Sequence, residues 1–162
     1  MANLSISITK SSIYEEVAKT TAYLGAKNKL DDGKSAFDQI FVTDADLAMI
    51  ERFYNESKDA LLNLLKRFMP TIGSSTDGNI NWTLSMPSRF DTNMSGSITS
   101  SATSFIVNSI VAKWCEITAN DKVKEYADNA SALLLDIKDK VFHKTKPTRT
   151  KIYYIEVCQE RI

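Results

Sequence analysis

Catalysis needs a nucleophile beside a base, a pair of matched acids, or a set of metal ligands, and this chain offers few residues of those kinds. The only histidine, His143, follows a helical pattern, where a cation complements the helix dipole and the last free carbonyls. Its expected role is therefore structural. Cys115 lies within an apolar helical run with no second thiol or histidine spaced to activate it, which suits a small buried hydrophobe. The carboxylate pairs Glu15-Glu16, Asp31-Asp32 and Asp44/Asp46 could be imagined as acid/base or metal groups. Glu15-Glu16 and Asp44/Asp46 are expected instead in first turns of helices, and Asp31-Asp32-Gly33 has the composition of a turn. No phosphate-binding loop, dinucleotide fingerprint, zincin motif or nucleophile elbow is present. No catalytic, cofactor-binding or metal-ligating residue is assigned.

Binding residues are better represented. Lys138, Lys140, Lys144, Lys146, Arg149 and Lys151 cluster around the single Asp139, flanked by Phe142, Tyr153 and Tyr154. Part of that charge is the wet face and terminus of a helix, where Lys is favoured, so weak contact with DNA or an acidic neighbouring subunit is a better expectation than specific nucleic-acid recognition. Trp114 shares a face with Ile110 and Ile117 and is expected in the core. Trp82, in an alternating segment, can either cover the core or anchor a partner. The candidates for partner contact are thus Trp82, Lys144, Lys146, Arg149, Tyr153 and Tyr154.

The elements that position these residues follow from hydrophobic periodicity. Leu4, Ile6 and Ile8 alternate with polar residues, the signature of a half-buried strand. A helix over 12–25 follows, capped by Ser11 or Ser12, with Ile13, Val17 and Leu24 on one face and Gly25 as a left-handed terminal residue. Thr43 and Asp46 form an acidic capping box, with Val42 stapled to Leu47, at the head of a helix over 44–68. Its stripe is Leu47, Ile50, Tyr54, Leu61, Leu65 and Phe68, and Pro70 ends it.

Between residues 70 and 96 the helical period is lost, but Ile80-Asn81-Trp82-Thr83-Leu84-Ser85-Met86 alternates strictly and predicts a strand. Helices over 97–118 and 121–142 come next, the former broadly apolar and the most buried, joined so tightly that they must pack antiparallel. Beyond them lies a basic link and the alternating Ile152–Val157. That segment either closes the chain's own small sheet or adds to the sheet of a neighbour.

The expected fold is mainly α: a four-helix bundle-like domain with a small β-sheet formed by N-terminal, C-terminal and mid-chain strands. Residues 1–162 form one domain, with a helical body over 12–142, a strand-bearing loop over 70–96 and a terminal arm over 143–162. Twenty basic and twenty acidic side chains balance, so net charge encodes no general attraction to nucleic acid or anionic membrane. Two cysteines without metal spacing fit a reducing compartment, and neither a secretion signal nor an apolar run of roughly 20 residues is seen.

Thr20-Thr21-Ala22-Tyr23-Leu24-Gly25, Trp82-Thr83-Leu84-Ser85-Met86-Pro87 and Ala112-Lys113-Trp114-Cys115-Glu116, leading through Tyr126-Ala127-Asp128 to the stretch Phe142–Arg149, form an ordered set along most of the chain. In this set the chain resembles small proteins of Bacteroides-type phages and prophages. In general plan it also resembles the head-tail connector (adaptor) proteins of tailed phages. That resemblance implies a non-enzymatic virion subunit, self-associating or bound to portal and tail components, located in the virion and in the host cytoplasm during assembly. It implies no site residue. The chain departs from the connector plan in its first strand-helix unit and its long insertion over 70–96. The competing expectations are a ligand-binding or enzymatic helical domain with a pocket near Trp82 and Arg89, and a DNA-contacting protein using residues 144–151.

Overall fold

The computed structural model describes residues 2–28, 35–68 and 77–145. Its elements are β1 (Ala2–Ile8), α1 (Lys10–Lys27), α2 (Phe37–Ile40), α3 (Leu47–Leu65), β2 (Ile80–Met86), α4 (Ser95–Thr118) and α5 (Val123–Phe142), with single 3-10 turns at Asp44–Asp46, Lys66–Phe68, Thr92–Met94 and Asn120–Lys122. The fold is mainly α, with four long helices and a small two-stranded antiparallel sheet.

The two alternating segments pair with each other. Leu4 lies opposite Leu84, Ile6 opposite Trp82 and Ile8 opposite Ile80, so these apolar residues fall on one face. All six are buried. On the other face Ser7 Oγ donates to Asn81 Oδ1 at 2.8 Å. A one-residue slip would carry all of these apolar side chains to solvent, which fixes the register.

The sheet lies against α4, which also packs on α1, α3 and α5 and so runs through the centre of the molecule. Ile98, Ala102, Phe105, Ile106, Ile110 and Val111 of α4 are buried, consistent with the breadth of its apolar surface. Fully burying each large aliphatic side chain contributes about 1.5–3 kcal/mol. Ser101, early in α4, donates to Asp136, late in α5, at 2.7 Å, as antiparallel packing across a tight connection requires.

Several local expectations are corrected. α1 begins at Lys10, earlier than 12, and neither Ser11 nor Ser12 caps it. Its first amide is satisfied from outside the helix: Lys10 N–H donates to Asn79 Oδ1 at 2.8 Å, while Ser12 Oγ donates back to Thr9 O. Glu15 and Glu16 consequently lie beyond the first turn.

Gly25 is helical and not left-handed. A Cβ there would lie 2.7 Å from Phe37 Cα, so glycine is required for the close approach of α1 to α2. The short helix α2 has no counterpart in the sequence expectations. Thr43 and Asp46 do form the capping box, the Asp46 carboxylate accepting from the Thr43 amide at 2.9 Å and its hydroxyl at 2.7 Å. Leu47 and Ile117, both expected inward, are largely exposed. Each stands at an end of its helix, where the stripe outruns the neighbouring elements.

Trp114 is in the core as expected, and its indole N–H donates to Ile40 O at 2.7 Å. That bond ties α2 to α4 and satisfies a buried donor. Gly78 has φ +73°, a left-handed conformation that turns the chain into β2, and its carbonyl accepts from Tyr54 Oη at 2.8 Å.

Candidate functional site

α5 ends at Phe142, and His143 takes extended backbone angles of −63° and 134° as the chain leaves the helix. The extended backbone lets the next residues meet the turn after β2. In that turn Phe90 N–H donates to Pro87 O at 3.0 Å, and Phe90 forms an antiparallel bridge with Lys144. Thr145 N–H donates to Arg89 O at 2.9 Å, and the Thr145 hydroxyl donates to the same oxygen at 3.1 Å. The Arg89 guanidinium donates in return to Thr145 O, from Nη2 at 2.6 Å and from Nε at 3.2 Å. The start of the basic link is thereby clasped to the body.

Beside the clasp lies a cleft of about 160 Å³. Phe68, Phe90 and Val141, all nearly buried, and the more exposed Phe142 form its apolar floor, with Pro87 as a wall. Phe68 and Phe142 meet edge to face, with centroids 5.2 Å apart at 65°. The rim carries Arg67, His143 and Lys144, all exposed. Among the described residues no carboxylate lines it. An apolar floor with a basic rim is suited to bind and orient a group that is apolar at one end and anionic at the other.

Of the two expected contact residues that are described, Trp82 and Lys144, the structure brings Lys144 to this cleft. Of the two places expected for Trp82 the structure takes the core and not the partner surface: at 5 % exposure it pairs with Ile6 across the sheet, and it does not line the cleft. Its strand buries the residues at even positions, Trp82 among them, so the ring cannot also meet a partner from the surface. Arg89, expected beside Trp82 in a pocket, is committed to the clasp. Lys146, Arg149, Tyr153, Tyr154 and the alternating segment Ile152–Val157 lie outside the described residues.

Lys140 leaves the free basic cluster because it pairs with Asp136 and donates to Ser101 Oγ at 2.8 Å. The Lys140 ammonium, and after it the Ser101 hydroxyl, hold the Asp136 carboxyl below the ordinary carboxylate range. Cys115 is fully buried, and desolvation pushes its thiol up to about 11, so it stays protonated and unreactive. Among the described residues no three His, Cys, Asp or Glu side chains gather as for a metal ion. No described helix is long and apolar enough to cross a membrane.

Arg67, Phe68 and Phe90 were not singled out as site residues by sequence. Phe68 reads as the last member of a helical stripe, and nothing local marks it as facing the end of α5. The basic composition around Lys144 was the one signal that pointed here. In comparisons with protein-family models, curated proteins and solved structures, nothing matches this chain.

Proposed function

We propose that this chain is a non-enzymatic assembly subunit of a tailed phage or prophage, of head-tail connector type, acting through protein–protein contacts. The observation that carries the reading is the clasp between Arg89 and Thr145. Segments 56 residues apart are joined by four hydrogen bonds at the surface, so the start of the basic link is held to the body at a defined point. The sequence beyond it contains the alternating run Ile152–Val157, which can add to a neighbouring sheet edge. A fixed anchor followed in sequence by an alternating segment suits an arm lent to a neighbour. The partners are further copies of the chain or portal and tail components, with weak DNA contact through the basic link as a secondary property.

The test combines light scattering of the purified chain with fractionation of particles from an induced lysogen that encodes it. Self-association, or co-sedimentation with particles, is the expected result. A chain that stays monomeric at high concentration and never travels with particles overturns the reading.

A further inference from the structure

We infer that the cleft beside the clasp is a docking socket for an acidic segment of another protein chain, one aromatic side chain entering the floor while flanking carboxylates meet the rim. The inference rests on the assembly reading above and names the chemistry of the partner. Size sets the anchor: the cleft measures about 160 Å³, and an apolar cavity of about 150 Å³ is enough to hold a benzene ring. The floor is suited to a ring, since Phe142 remains 42 % exposed while already edge to face with Phe68, leaving aromatic surface for a further ring.

Charge sets the flanks. Among the described residues, the side chains of Arg67, His143 and Lys144 have no hydrogen-bond or ion-pair partner and no carboxylate joins the lining. In sequence the positive run continues through Lys146, Arg149 and Lys151, with no acidic residue before Glu156. A basic partner would be repelled, and a neutral one would leave the cations unused. The two cations, Arg67 and Lys144, also come from two separate places, the 3-10 turn after α3 and the exit from α5, so they flank the mouth instead of converging on one point. That arrangement fits several carboxylates along a chain better than the single carboxylate of a small aromatic acid. An aromatic anchor in a pocket with charges at its edge is the usual make-up of an interface hot spot.

The test uses the full chain and a fluorescently labelled peptide, Asp-Glu-Phe-Glu-Asp, followed by anisotropy at about 0.15 M ionic strength. Saturable binding is expected, weakened about tenfold when alanine replaces the peptide's phenylalanine and about tenfold by Arg67→Glu with Lys144→Glu. Both substituted residues are exposed, and Phe142→Ala provides an independent change to the floor that should weaken the phenylalanine peptide but not its alanine analogue. Absence of saturable binding, or binding indifferent to all these changes, overturns the socket. Competition by benzoate at the same concentration as the peptide also overturns it, in favour of a small-molecule site. Peptide binding by a chain that is monomeric and never sediments with particles supports the socket and sinks only the assembly reading. Assembly without peptide binding sinks the socket alone.

Discussion

Arg89 and Thr145 exchange hydrogen bonds in both directions: the Thr145 amide and hydroxyl donate to the Arg89 carbonyl, and the Arg89 guanidinium donates twice to the Thr145 carbonyl. Backbone alone supplies one of the four bonds; the guanidinium closes the pair from the other side. Because the site is exposed, the clasp contributes little to global stability while holding the start of the basic link against the body. Arg89→Ala should therefore lower unfolding free energy by only about 0.5–1.5 kcal/mol. Hydrogen exchange at the Thr145 amide should accelerate clearly more than exchange in α4. An equal loss of protection in both would show that the clasp is part of the global core.

Gly25→Ala sets two effects against each other. Alanine favours a helix interior by up to about 1 kcal/mol over glycine. Here its Cβ would stand 2.7 Å from Phe37 Cα and close to the Phe37 carbonyl, and backbone cannot step aside as the end of a side chain can. The clash should win, with a net destabilisation of about 1–3 kcal/mol in urea unfolding. A variant as stable as the parent would mean that α2 shifts freely on α1.

Trp114→Phe should cost about 1–3 kcal/mol, read from the shift in urea midpoint. The indole N–H is the bond that satisfies the buried Ile40 carbonyl, and phenylalanine leaves that acceptor without it while removing ring volume from the core. The loss should be accompanied by faster amide exchange within α2, since this bond fastens that short helix to α4.

Acid should weaken the fold partly through Asp136. Its folded-state carboxyl is held below the usual value by Lys140 and then by Ser101, so its stabilisation is present above the unfolded value of about 3.9 and is lost as pH falls through the folded one. Asp46, depressed by the hydroxyl and amide of Thr43, acts with the same sign. Both side chains sit near solvent, so screening limits the Asp136 share to about 0.5 kcal/mol. Comparing unfolding at about pH 7 and about pH 3 should show a smaller acid-induced loss in Asp136→Asn than in the parent. An unchanged difference between the two pH values would remove Asp136 from the account.

Sequence by itself determined the elements whose cause is local. Alternation at Leu4–Ile8 and Ile80–Met86 made strands, apolar stripes made the four long helices, and Thr43 with Asp46 marked a helix start, because each signal lies within a few residues of the structure it specifies. Lys144 was legible as a surface cation for the same reason.

Tertiary structure decided what depends on residues far apart in the chain. Asn79 satisfies the first amide of α1, Phe37 explains Gly25, Ile6 faces Trp82 and draws it into the core, and Arg89 meets Thr145. No local window contains both members of these pairs, and burial, the property that separates a core tryptophan from a docking one, exists only once the sheet has closed on α4. The cleft is the extreme case. Its floor and rim come from three separate stretches of chain, and their shared surface is created by packing alone.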